Sequence, residues 1–212
     1  MAAEKRITII GCGPGGAGYL APIALEKALS ADCVIGSGRL LALIPENGRE
    51  RINGGADTAK VIETIAERIP AKSVAVLVSG DPGVFSLAAP VIKKFGAAMC
   101  EVIPGVSSIQ LAFAKAGLDW WDAKIVSVHA AVPQNGYGAY ENEPKLALLA
   151  GTNEAVKWIA GLAEKMNGSV MIICENLGMA EESVMEMTPG ALLSRKVSSM
   201  TVVLLVKKEF LK

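Results

Sequence analysis

The chain has one histidine, His129, and that scarcity removes much familiar catalytic chemistry. A multi-histidine metal centre is excluded. Any cysteine–histidine pair would have to use this one imidazole. The four cysteines, Cys12, Cys33, Cys100 and Cys174, lie far apart with no CxxC pair, and three sit in or beside apolar runs. Reduced, buried thiols are the expectation, with no metal site among them. Neither sign of charge is in surplus, with Lys+Arg and Asp+Glu both at 21. That balance argues against a nucleic-acid or membrane-surface binder. No run is long and uncharged enough to span a bilayer. The four-residue run Ile7–Ile10 between Arg6 and Gly11 is too short for a signal peptide, so the cytoplasm is the expected location.

What is present is apolar. Of 212 residues, 51% are hydrophobic and 20% charged, enough for a sizeable core in one large domain or two small ones. Three apolar runs stop at loops of glycine and proline. Ile7–Ile10 runs into Gly11-Cys12-Gly13-Pro14-Gly15-Gly16. Val74–Val78 runs into Ser79-Gly80-Asp81-Pro82-Gly83, and Glu101–Ile103 into Pro104-Gly105-Val106-Ser107-Ser108. Such runs, alternating with helical patterns, read as buried parallel strands. Ligands of these sheets sit outside the carboxyl ends of the strands.

Between the loops the pattern alternates. Helices are expected at 22–28, 39–43, 58–68 (capped by Asp57), 86–95 (carrying Pro90) and 107–116, with a short strand at 33–35. Gly117-Leu118-Asp119-Trp120-Trp121-Asp122 breaks the rhythm and sets a boundary, giving domains 1–116 and 117–212. Beyond it, strands are expected at 125–128, 146–149, 170–174, 183–187 and 201–206. A helix over 154–165 is capped by Asn153, and a short one follows Pro189. The segment 130–144 reads as a mobile, lid-like loop. More strands and fewer helices suggest a mixed sheet in this half.

Gly11, Gly13 and Gly16 satisfy GxGxxG after a strand, the dinucleotide fingerprint. Its context fails: Pro14 lacks an N–H, and Ile35-Gly36-Ser37 stands where a ribose-binding acid belongs. Asp81, between Gly80 and Pro82, has two readings of equal weight. It can hold a ribose diol, or it can be an Asx-type turn residue.

Taken together, GCGPGG, VLVSGDPGVFSLA and VIPGVSSIQLAFAKAGLDWWDAK, with ENLG at 175–178, resemble the tetrapyrrole methylase family over nearly the whole chain. The third motif and GSGRLLALIP at 36–45 are similar to the branch acting on ring carbon 5 of corrin precursors. The resemblance implies an α/β, two-domain fold: an N-terminal parallel sheet with flanking helices, a C-terminal mixed sheet, and the active site in the cleft between. It implies S-adenosylmethionine as methyl donor, held by Pro14, Ser79, Gly80, Asp81, Val84, Ser107 and Ser108, with Ala150, Leu177 and Thr201 from the second domain. Gly11, Gly13, Gly15 and Gly16 would border the tetrapyrrole substrate. Two departures stand out: Leu149-Ala150-Gly151 replaces Tyr-Met-Gly, and His129 is followed by Ala130-Ala131 where the branch has glycine and arginine.

The implied reaction is C-methylation of cobalt-precorrin-7 or precorrin-6Y at carbon 5 in cobalamin biosynthesis. The ring carbon is itself the nucleophile, so no serine or cysteine nucleophile is needed. Arg39 is the first candidate for a substrate carboxylate, and His129 for a proton transfer. Each also has a plain structural reading, a surface arginine and a strand-end histidine satisfied by a carbonyl. Trp120 and Trp121 suit a protein contact. A homodimer, and a separate carbon-15 methyltransferase/decarboxylase partner, are the family's expectation. Rival readings are a sibling methylase acting on another carbon, a nicotinamide-dependent oxidoreductase, and a cofactor-binding module without catalysis.

Overall fold

A computed structural model describes residues 6–55, 57–129 and 131–211. Ala130, at the head of the expected lid-like loop, lies outside them. The chain divides into two compact units, 1–107 and 108–212.

The first unit runs β1 (Ile7–Gly11), α1 (Pro22–Ser30), β2 (Cys33–Gly36), α2 (Gly38–Leu41), β3 (Glu50–Asn53), α3 (Thr58–Arg68), β4 (Val74–Val78), α4 (Ala88–Phe95) and β5 (Cys100–Ile103). Its sheet has the order β3-β2-β4-β1-β5, and every pairing is parallel. Strand parity sorts the core into two layers. Ile7, Ile9, Cys33, Ile35, Val74, Val76 and Val78 pack with α3 and α4. Ile10, Val34, Ala75 and Leu77 pack with α1 and α2 on the other face. Chain leaving β1 therefore turns to one face and chain leaving β4 to the other, although the two strands are neighbours. That divergence is a topological switch point, where doubly wound sheets hold ligands.

The helix signals act as their chemistry dictates. Asp57 caps α3 by accepting from the N–H groups of Ala59 (2.9 Å) and Lys60 (3.2 Å). Pro90 lies in the first turn of α4, where backbone N–H groups lack helical partners in any case. That helix starts at Ala88, two residues later than expected. Ser86 stays outside it, donating to the Pro82 carbonyl and accepting from the N–H of Ala88. β3 has no counterpart in the sequence reading. It is a half-buried edge strand of sequence ERIN, so no apolar run marks it. Glu50 ion-pairs with Arg68 and Lys72, and Arg51 donates to the carbonyls of Leu41 and Ile44.

The second unit runs α5 (Ser108–Ala116), β6 (Lys124–Ser127), β7 (Lys145–Leu149), α6 (Asn153–Lys165), β8 (Ser169–Glu175), β9 (Ser183–Glu186), α7 (Pro189–Leu193) and β10 (Thr201–Lys207). The sheet order is β6-β7-β10-β8-β9, with β6 parallel to β7 and the rest antiparallel. The carboxyl ends of β6, β7 and β8 thus share one edge with the amino end of β10. α6 and α7 cover one face over Leu146, Leu148, Ile173, Val203 and Leu205. α5 packs against β10 and β9, and this is why the division falls after Ser107, nine residues before the break read from the sequence. Thr152, not Asn153, caps α6 by accepting from the N–H of Ala155.

The loop expected to be lid-like is anchored at its tyrosines, and much of the rest of it is exposed where it is described. Tyr140 is buried and donates to Asn135, and Tyr137 and Tyr140 both pack on Trp158. No helix among the described residues is long and apolar enough to cross a membrane.

The Gly117–Asp122 break is tethered to β7 by Lys145. Its side chain is 4% exposed and reaches the carboxylates of Asp119 and Asp122, both at 2.8 Å. Burial works against its charge, but the two carboxylates outweigh burial and raise its pKa. Lys145→Ala should destabilise the protein by about 1–3 kcal/mol and speed amide exchange over 119–122. Lys145→Met, which keeps the apolar stem, should recover the stability in urea unfolding but not the exchange protection.

Candidate functional site at the strand ends

In the first unit, the loops after β1, β4 and β5 touch backbone to backbone. Gly13 donates to the Gly80 carbonyl (3.2 Å), Gly80 donates back to the Gly13 carbonyl (2.8 Å), and Cys12 donates to Val78 (2.9 Å). Gly105 lies so close that a Cβ there would sit 2.5 Å from the Gly80 oxygen and 2.7 Å from Gly11. A Cβ on Gly11 would meet Gly105 N at 2.7 Å. Glycine is a steric requirement here.

Asp81 ties the second loop to the third. Its Oδ1 accepts from the N–H of Gly83 (2.7 Å) and its Oδ2 from the N–H of Gly105 (3.1 Å). It is thus a turn residue in fact. Each carboxylate oxygen nevertheless keeps acceptor capacity for a further donor. Ser79 is exposed and accepts from Nη2 of Arg39 (2.9 Å), on the short α2 that follows β2. Nη1 of the same arginine is buried without a partner. Gly11, Gly13, Pro14, Gly15 and Gly80 are buried, Gly16 and Val84 half-buried, and Ser107 buried at the end of the unit.

In the second unit, the shared edge collects a different set. His129 Nδ1 lies 3.0 Å from the Ala150 carbonyl, and Ala150 donates its N–H to the Thr201 carbonyl (2.9 Å). Glu175, 5% exposed, holds the chain before β10. It pairs with Arg195 and accepts from the N–H of Ser198 (2.8 Å). Asn176 donates to the Met200 carbonyl, and its side-chain oxygen accepts from Ser198 Oγ (2.7 Å). The loop bearing Leu177 is pinned by Glu182, which accepts from Gly178 (2.7 Å) and from Lys115. The Lys115 ammonium and the Gly178 N–H hold the Glu182 carboxyl below the usual range. Ser108 begins α5.

A family model described as tetrapyrrole (corrin/porphyrin) methylases matches residues 6–193. The chain belongs to the tetrapyrrole methylases.

A cobalt-precorrin-7 C(5)-methyltransferase of Salmonella typhimurium is 33% identical over 180 residues, 84% of this chain and 88% of the relative. A probable cobalt-precorrin-7 C(5)-methyltransferase of Methanocaldococcus jannaschii is 34% identical, covering 71% of this chain and 69% of the relative. Among solved structures, a cobalt precorrin-4 methyltransferase superposes with TM-score 0.79 at 17% identity, over 100% of this chain and 98% of its own. A Thermus thermophilus uroporphyrin-III C-methyltransferase, solved with S-adenosylhomocysteine, gives 0.75 at 22%, over 95% and 92%. At these identities both structures speak to fold.

The methylase family fits the thiol chemistry. All four cysteines are buried and free, and burial pushes Cys12 and Cys33 up to about 11 and Cys174 up to about 12. None of these three is a ready thiolate. At Cys12 the nearby Arg39 charge works against burial and loses. The dinucleotide reading also loses its cradle. The N–H groups of Cys12 and Gly13 are spent on Val78 and Gly80, and the helix start lies on at Pro22.

Sequence reasoning passed over two residues of this methylase. Phe85 and Asn176 are the non-glycine residues with left-handed backbone among those described, at φ +45° and +50°. Both lie in strand-end loops. Asparagine tolerates that region, whereas an exposed phenylalanine there is strained. Only backbone geometry carries this signal.

Gly105→Ala should destabilise the methylase by about 1–3 kcal/mol, since backbone must move to admit the methyl. Asp81→Ala strands two backbone donors and should cost about 1–3 kcal/mol for each one left dry. Chemical denaturation measures both.

Proposed function

We propose that this methylase transfers a methyl group from S-adenosylmethionine to carbon 5 of cobalt-precorrin-7, a step of cobalamin biosynthesis. The observation that carries the reading is the name shared by two relatives, each about a third identical to this chain and together matching most of it.

Bound S-adenosylmethionine supplies an electrophilic methyl group and leaves as the neutral thioether. The residues present fit such a molecule. Asp81 keeps an acceptor position on each oxygen for hydroxyl donors, at the β1/β4 switch point where ligands of such sheets gather. The structural neighbour solved with S-adenosylhomocysteine has the same fold. Acceptance of the methyl by a carbon of the macrocycle needs no protein nucleophile, in keeping with the buried thiols. The chain's contribution to the methyl-transfer step itself is alignment and exclusion of water.

Arg39 takes the acidic substrate. Nη2 is fixed by Ser79 and Nη1 is buried without a partner, so a substrate carboxylate admitted beside it would satisfy an orphaned donor.

In calorimetry, S-adenosylhomocysteine should bind and NADH should not; preference for NADH would overturn the reading. A corrin precursor unmethylated at carbon 5 should be turned over, and its carbon-5-methylated product should not. Arg39→Ala should raise KM for the tetrapyrrole by about tenfold or more, the effect of losing about 1.4 kcal/mol, and leave S-adenosylhomocysteine affinity unchanged.

A further inference from the structure

The carboxyl edge of the second unit's sheet fixes the tautomer of the chain's only histidine. Its Nδ1 lies 3.0 Å from the Ala150 carbonyl oxygen. A carbonyl accepts and cannot donate, so Nδ1 carries the proton whatever the charge of the ring. In the neutral imidazole the lone pair is then on Nε2. His129 is an exposed residue, and Nε2 has no hydrogen-bond or ion-pair partner among the described residues.

The ring packs closely against Gly151. Gly151 has φ +138°, and a Cβ there would lie 2.9 Å from His129 Nδ1 and 2.6 Å from the Ser199 carbonyl. The ring therefore lies against bare backbone where no side chain fits. The Ser199 segment is in turn held by Glu175, through Arg195 and the N–H of Ser198.

Resting on the proposed carbon methylation, we propose that Nε2 of His129 accepts the proton the reaction releases. When the ring carbon takes the methyl with its own electron pair, it holds both a hydrogen and the methyl, and the macrocycle gains one positive charge. The C–H bond then breaks, its electron pair returns to the conjugated ring, and the proton goes to Nε2. The imidazole becomes imidazolium, and Nδ1–H stays on Ala150 throughout. Charge and atoms balance without an oxidant or a metal.

The charged groups on the elements around His129 are few. Arg195 and Glu175 neutralise each other. Lys196 precedes β10, and Glu154 lies in the first turn of α6. Lys124 and Lys145 stand at the opposite ends of β6 and β7.

One imidazole in the chain makes the test unambiguous. Nitrogen NMR of the intact protein labelled in histidine, with the ring neutral, should show Nδ1 protonated and Nε2 bare. His129→Asn, whose amide can still donate to Ala150, should retain S-adenosylhomocysteine affinity. It should lose about 10²–10⁴-fold in methyl transfer and lose the acid limb of the pH–rate profile, with partial rescue by added imidazole. A proton found on Nε2, or an active wild type matched by His129→Asn in rate and pH profile, would overturn this inference alone. A wild type inert toward every corrin precursor would instead overturn the proposed function, and this step with it.

Discussion

The first unit depends on a backbone contact that only glycine permits. Gly11, Gly80 and Gly105 bring the carboxyl ends of β1, β4 and β5 within touching distance, with no room for a Cβ on Gly11 or Gly105. The reciprocal bonds between Gly13 and Gly80 satisfy donors and acceptors that would otherwise be lost on burial. Asp81 closes the set by holding the N–H groups of Gly83 and Gly105 on one carboxylate. Glycine costs conformational entropy wherever the chain is ordered. Here that cost is offset by the continuous apolar strands behind the loops, of which β1 and β4 are almost wholly buried.

This contact sits at the switch point, and the two facts are linked. α1 and α4 leave for opposite faces, so no helix start crowds the space above β1 and β4. The sequence resembles a dinucleotide loop because both designs need glycine at a strand end. They differ in what the amides do. In a phosphate cradle they point at the ligand; here they bind each other. Pro14, an objection to the first design, costs nothing in the second.

Much of this was legible in the sequence. The three strand ends, the Asp57 cap, the mixed second sheet and the family all followed from apolar runs, glycine placement and motif order. What was not legible has physical causes. β3 is an edge strand whose polar residues make ion pairs, so it has no hydrophobic signature. α5 reads as the last helix of the first half but packs on β10 and β9, a long-range contact that local pattern does not encode. The Arg39–Ser79 bond, the Asp81–Gly105 strap and the His129–Ala150 bond join residues 21 to 40 positions apart. In the sequence, Arg39 and His129 were isolated candidates. The structure gives His129 one bonded ring nitrogen and one unpartnered among the described residues, and leaves one nitrogen of Arg39 buried beside the one that Ser79 holds.

The chemistry that emerges makes modest demands on the protein. The buried thiols are unfit as nucleophiles, and Asp81 and Glu175 hold strand-end loops in place. Alignment of a methyl donor with an electron-rich carbon needs such rigidity and no nucleophilic side chain. The most direct test is carbon NMR of the product formed from carbon-13-methyl S-adenosylmethionine and cobalt-precorrin-7. The account predicts a single labelled methyl on carbon 5 of the macrocycle. A label on any other ring carbon, or no transfer to the macrocycle, would contradict it.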